Sequence, residues 1–244
     1  MASHSFRDSL RLIYREAVRS PWICRAALSD GGDRAPAPAA SAGAPVLVLG
    51  GLFSHPRYYA ALGRALARRG HAVHFDAEGF NARSFRPHLA DLRRRLEAIH
   101  AGTGVPVRLV GHSLGGLHAM ALLADCPAAV EHVVAVATPV VGGTPWEPLE
   151  RVAERILDVR ASDAEGLRQR IAPYAGRITT ISAPEDLVAP PLACALAGAH
   201  NVVLSTIPRP DRPLATHGGL IFMRTVREVV ASALGTPAEW RRAS

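Results

Sequence analysis

The sequence predicts an α/β fold, a mainly parallel central sheet with helices on both faces. Three observations predict it. Short apolar runs alternate with amphipathic helical stretches at least five times between residues 45 and 235, the rhythm of βαβ units. The runs are continuously apolar, as in Val46-Leu47-Val48-Leu49, which is the pattern of strands buried on both faces. No self-similarity appears at the 20–50-residue periods of solenoids.

Taken in order, residues 5–19 read as an amphipathic helix within an N-terminal extension, 1–28. Phe6, Leu10, Ile13 and Ala17 lie on one face, and Arg7, Arg11, Arg15 and Arg19 form an i,i+4 stripe on another. The helix is expected to dock on the body; membrane-surface contact through 5–19 is the sharper alternative. Residues 29–44, SDGGDRAPAPAASAGA, have no period and read as a linker. The core domain follows over 45–235. Val46–Leu49 is its first strand. A helix comes next, with Pro56 in its first turn, Tyr59, Leu62 and Leu66 on one face, and Gly70 as its stop. Ala72–Phe75 is the second strand. The helix after Pro87 carries Leu89, Leu92, Leu96 and Ile99. Val105–Val110 is the third strand, 114–124 a helix, and 132–137 the fourth strand. Ile178–Ser182 and Asn201–Leu204 are further strands. Phe222, Val226, Val229, Ala233 and Leu234 line a terminal helix, and 236–244 is a C-terminal tail. The interval 144–176 breaks the rhythm with two short helical patterns, through Leu149, Val152 and Ile156 and then Leu167, Ile171 and Tyr174. It is either a crossover or a short cap or lid over the carboxyl ends of the strands.

Composition narrows the class. Of 244 residues, 48% are hydrophobic and 20% charged, which excludes a disordered chain. No apolar run reaches the roughly 18 residues of a membrane helix. The net charge of +7 rests on 28 arginines, with no lysine. These are scattered, and aromatics are only 5%, so Arg68-Arg69, Arg93-Arg94-Arg95 and Arg241-Arg242 read as solvated faces and no nucleic-acid partner is expected. Cys24, Cys126 and Cys194 are too far apart for a zinc motif, and no metal or cofactor is expected. Charges at Arg7, Asp8, Arg11, Arg15, Glu16 and Arg19 interrupt any signal-peptide apolar region. A cytoplasmic location is the expectation.

The third strand runs into Gly111-His112-Ser113-Leu114-Gly115-Gly116, and a helix follows. This is Gly-x-Ser-x-Gly in a strand–turn–helix setting. Such a turn strains its central residue and lifts the side chain clear of the sheet. Gly111 and Gly115 are small because Cβ atoms there would strike the strand and the helix. The turn also aims the Leu114 N–H, at a helix N-terminus, where an oxyanion would form.

A serine hydroxyl needs a base, and the base an orienting carboxylate. In this architecture both come later in the chain, acid first. Asp186 lies in the loop after Ile178–Ser182, with Glu185 and Asp211 as competitors. His217 lies in the loop ahead of the last helix. His112 is expected to pack beside the elbow, and His118 and His200 to be structural. The second oxyanion donor is expected from Gly50-Gly51-Leu52-Phe53 after the first strand, as the N–H of Leu52 or Phe53. Trp146 and Leu149 are candidates for lining the substrate.

The chain resembles the α/β-hydrolase superfamily over roughly residues 45–235, and within it compact bacterial lipases and esterases. The resemblance rests on PVLVLGGLFSHPRYY, GHSLGG, VVAVATPVVGGTP, PEDLVAPP and THGGL. It implies the α/β-hydrolase fold and a serine-based machinery. Two departures stand out: Gly-Gly-Leu-Phe occupies the place of the His-Gly of many relatives, and no antiparallel strands are evident in 1–44. The cap is short, which favours an open site.

Three functions compete. The first is a carboxylic ester hydrolase, an esterase or lipase, with Ser113 as nucleophile, His217 as base and Asp186 as its orienting acid. Its substrate is a small ester or lipid-like molecule. The second is an acyl thioesterase or acyltransferase with the same triad, whose arginine-rich surface would suit an acidic carrier protein. The third is a non-enzymatic binding module on the same fold.

Overall fold

The computed structural model describes residues 43–76, 81–141 and 161–235, together with positions 21, 25 and 158. The expected helix at 5–19, residues 29–42 of the linker, Trp146, Leu149 and the tail lie outside the described residues.

Six strands are formed: β1 (Val46–Leu49), β2 (Val73–Phe75), β3 (Val107–His112), β4 (Val130–Val136), β5 (Ile178–Ser182) and β6 (His200–Val203). They make one sheet in the order β2-β1-β3-β4-β5-β6, with every neighbouring pair parallel. The helices are α1 (Ala60–Ala67), α2 (Phe85–Thr103), α3 (Leu114–Asp125), α4 (Ala161–Ile171), α5 (Pro191–Cys194) and α6 (Arg224–Ala233). Alternate strand residues serve opposite layers, as the period of two requires. Val46, Val48, Val110, Val134 and Ile181 pack under Leu62 and Leu66 of α1 and Val226 and Val230 of α6. Leu47, Leu49, Leu109, Val133 and Ile178 pack under Leu92 and Leu96 of α2, Leu122 of α3 and Ile171 of α4. Both faces are therefore buried, which is why the strands read as unbroken apolar runs.

Several boundaries differ from the sequence expectation by one or two residues, among them β2, β4 and β6, and three differences have a clear physical reason. β3 spans 107–112 rather than 105–110: Gly104 closes α2 in the left-handed conformation (φ 71°), Val105 is exposed in the connection, and pairing with β4 continues to His112 opposite Val136. α2 starts at Phe85, ahead of Pro87; a proline in the first turn lacks only an N–H that has no helical partner there. On α6 the fully buried valine beyond Val226 is Val230, with Val229 only partly buried.

Leaving β1 the chain turns to β2, and leaving β3 it turns the other way to β4. The carboxyl ends of β1 and β3 thus flank the topological switch point, where open α/β sheets hold ligands. Their register sets Leu49 opposite Gly111, so the loop after β1 lies beside the turn after β3. Among the described residues no helix is long and apolar enough to cross a membrane.

Candidate active site

Ser113 joins β3 to α3 with φ 54° and ψ −119°, a conformation that costs a non-glycine residue on the order of 1–3 kcal/mol. Its surroundings hold it there. The Ser113 N–H donates to the Val136 carbonyl (2.9 Å), and the Ser113 carbonyl accepts from the Gly116 N–H (3.0 Å) and the Thr138 hydroxyl (3.2 Å). The glycines are required by space. A Cβ at Gly111 would overlap the backbone of Gly115 and Gly116, and one at Gly115 the Leu49 carbonyl.

His217 reaches this serine from the loop before α6. Its Nε2 is 2.8 Å from Ser113 Oγ, and its Nδ1 is 2.9 Å from Asp186 Oδ2. A carboxylate only accepts, so Nδ1 carries the ring proton and Nε2 is left to accept from the serine hydroxyl. Asp186 is fully buried in the turn after β5, and its Oδ1 accepts from the N–H groups of Val188 and Ala189, both at 2.9 Å. Burial opposes its charge. The His217 ring and the two N–H groups outweigh that and hold its carboxyl below the usual carboxylate range. Asp211 is placed elsewhere: it caps α6, accepting from the Thr225 N–H (3.0 Å) and hydroxyl (2.7 Å).

The loop after β1 lies across from Ser113. Phe53, one of the two expected donors of this loop, is corrected here: its N–H is taken by the Asn81 carbonyl at 2.7 Å. Gly50 donates to Asp76 Oδ2 and Gly51 to the Tyr59 hydroxyl. The Leu52 N–H meets no acceptor among the described residues. The Leu114 N–H opens α3, where no helical acceptor exists. Two backbone donors of different elements thus remain for an oxyanion. Phe53 itself has φ 57° and an exposed ring.

Sequence reasoning misses Asn81, whose Nδ2 donates to the Gly50 carbonyl (3.0 Å) and whose N–H donates to the Ser54 carbonyl (2.9 Å). Nothing local marks it, because these partners lie some 30 residues away in the chain. The Tyr59 hydroxyl is also missed; it sits on what reads as a purely apolar helix face, and a buried tyrosine hydroxyl is itself the signal of a partner. His118 lies on α3, stacked on Phe85, with its ring in the core, and His200 is exposed on β6.

Three histidines, the buried His112 and His118 and the half-buried His132, set an acid limit on the fold. Burial pushes His112 and His132 down to about 4 and His118 down to about 3, from 6.5. In the unfolded chain they take up protons near 6.5, and in the folded chain only below about 4. Between those values the unfolded state binds more protons, so stability falls as pH falls. Thermal unfolding followed by circular dichroism should show the melting temperature dropping from pH 6.5 toward 4. His118→Phe should flatten part of that slope; a profile unchanged in the variant would contradict the assignment.

A family model described as serine aminopeptidase, S33, matches residues 40–174. No curated protein matches the chain. Solved structures share the fold at low identity. The mature lipase BlEst2 of Bacillus licheniformis is 17% identical with a TM-score of 0.61, over 84% of this chain and 97% of that one. The Paleococcus ferrophilus monoacylglycerol lipase is 16% identical with a TM-score of 0.51, over 80% and 98%. The thioesterase domain from the curacin biosynthetic pathway is 15% identical with a TM-score of 0.51, over 79% and 90%.

Proposed function

The chain belongs to the serine aminopeptidase S33 family of α/β-hydrolases, and from that premise we propose that it cleaves carboxylic esters through an acyl-enzyme on Ser113. The observation that carries the proposal is the hydrogen-bonded series Ser113–His217–Asp186, at 2.8 and 2.9 Å. Ser113 Oγ attacks the ester carbonyl as its proton passes to His217 Nε2. The Asp186 carboxylate stabilises the imidazolium that results. The carbonyl oxygen, now an anion, is received by the N–H groups of Leu114 and Leu52. As the intermediate collapses, His217 returns the proton to the departing alcohol. Water then repeats the sequence on the acyl-enzyme, and Ser113 regains its proton. The scheme draws on no metal or cofactor.

An apolar acyl group is supported by the rim of the site. Phe53 (53% exposed), Val141 (40%) and Leu192 of α5 (87%) present uncovered side chains in the segments that follow β1, β4 and β5, and the Val141 N–H donates to the Ala193 carbonyl beside Leu192. Exposed apolar side chains gathered at one face point to a ligand surface. The proposal extends to a cytoplasmic enzyme. It is supported by the free thiols of Cys126 and Cys194, which suit a reducing compartment. A second reading, an acyl thioesterase or acyltransferase on the same residues, is supported by the fold shared with the curacin thioesterase domain.

The test is a panel at equal concentration: p-nitrophenyl esters from short to long acyl, the matching acyl thioesters, and aminoacyl nitroanilides. Ester turnover rising with acyl length is expected. A clear preference for thioesters would move the assignment to the second reading. Cleavage of the nitroanilides alone would overturn both.

A further inference from the structure

A hydrogen-bonded path joins the loop after β1 to His217 through two side chains that the chemistry above does not use. The Gly51 N–H donates to the Tyr59 hydroxyl at 2.9 Å. That hydroxyl lies 3.2 Å from His112 Nδ1. His112 Nε2 lies 3.0 Å from the His217 carbonyl. Each step fixes the next. The hydroxyl accepts from Gly51 and has one proton to give. Ser54 also bonds it, its own hydroxyl proton already given to the Gly51 carbonyl at 2.7 Å, and His112 Nδ1 stands as the nitrogen acceptor. Nε2 faces a carbonyl, which only accepts, so Nε2 carries the ring proton. With Nε2 donating to a carbonyl and the ring buried, the path selects a neutral His112 in the Nε2–H tautomer. Burial supports it by holding His112 down to about 4. Both side chains are buried, and the loop lies close against them: a Cβ at Gly51 would stand 3.1 Å from His112 Nδ1 and 3.3 Å from Ser113 Cβ.

The two ends of the path are significant. Gly51 immediately precedes Leu52, the donor proposed for the oxyanion, and the His217 carbonyl belongs to the base itself. We infer that Tyr59 and His112 are positioning residues that hold the oxyanion loop and the base at a fixed separation across Ser113. The inference rests on the reading of Ser113 as nucleophile and His217 as base. A neutral ring is also required on charge grounds. The His112 and His217 rings are 5.4 Å apart, centre to centre, and a cation at His112 would oppose proton uptake by His217.

The test uses the full chain. Nitrogen-resolved imidazole spectra should show His112 protonated on Nε2 at neutral pH, and a ring protonated on Nδ1 would overturn the path. Kinetics is read per active site, with the active fraction titrated by a fluorophosphonate. His112→Leu and Tyr59→Phe should each lower kcat for the best ester roughly 10- to 100-fold, with KM unchanged. The double variant should be little slower than the slower single one, because the path acts as a unit. His112→Gln, which keeps an N–H toward the His217 carbonyl, should recover most of the loss. A purely structural role would lower the melting temperature and the active fraction and leave kcat per site intact. That result, with an active wild type, overturns this inference alone. A wild type inert to every ester and to the fluorophosphonate overturns the reading of Ser113 and this inference with it. Should His112→Leu fail to fold, Tyr59→Phe, which removes a single oxygen, still decides.

Discussion

Replacing Ser113 with alanine should lower turnover of the best ester by roughly 10⁴- to 10⁶-fold, with the fold intact. The size follows from what is removed. Without Oγ, His217 Nε2 has no hydroxyl to deprotonate, and what remains is the oxyanion donors and substrate positioning. The fold survives because the turn is held by backbone. The Ser113 N–H bond to Val136 and the Thr138 and Gly116 bonds to the Ser113 carbonyl do not involve the hydroxyl. Alanine accepts the same positive φ at similar cost. The melting temperature should therefore stay near that of the wild type while the rate collapses, and fluorophosphonate labelling should vanish. A variant that keeps a tenth of the rate would place the nucleophile elsewhere.

Asp186→Asn should lower kcat by roughly 10⁴-fold while changing stability little. The geometry gives the reason. Asp186 Oδ1 accepts two backbone N–H groups, from Val188 and Ala189. An asparagine must therefore keep its oxygen on that side, which turns its NH₂ toward His217 Nδ1. That nitrogen must then accept, the ring proton moves to Nε2, and the base faces Ser113 with no lone pair. Asp186→Ala separates the effects. It leaves two buried N–H groups without acceptors, each costing about 1–3 kcal/mol, so the melting temperature should fall together with the rate. If Asp186→Asn retained near-normal kcat while Asp211→Asn did not, the carboxylate of the α6 cap would have to be the functional one.

Much of the architecture is legible in the sequence. The apolar runs locate all six strands, and Ile178–Ser182 and Val46–Leu49 fall on the residues expected. The errors are at ends. β3 reads two residues early because Val105 looks like a strand residue in sequence, and only its exposure beyond Gly104 shows otherwise. α6 reads with Val229 inward; it packs against the core while only partly buried, and Val230 beside it is the fully buried one. At the site, the turn around Ser113 and the order Ser113, Asp186, His217 are visible because each sits in a loop after a strand, and the structure brings the three into hydrogen-bond contact.

What the sequence determined by itself is whatever a local pattern dictates. Apolar runs buried on two faces make a parallel sheet, glycines on either side of Ser113 permit a tight turn, and late loops carry an acid and a histidine. What only the tertiary structure decided is who meets whom. Asp186 rather than Asp211 faces His217, the Phe53 N–H but not that of Leu52 finds an acceptor among the described residues, and Tyr59 and His112 bridge the loop after β1 to His217. The physical reason is that a hydrogen bond is specified by position and direction within a few tenths of an ångström. These partners lie 53 and 105 residues apart in the chain. Only the packing of the sheet and its two helical layers brings them to that distance.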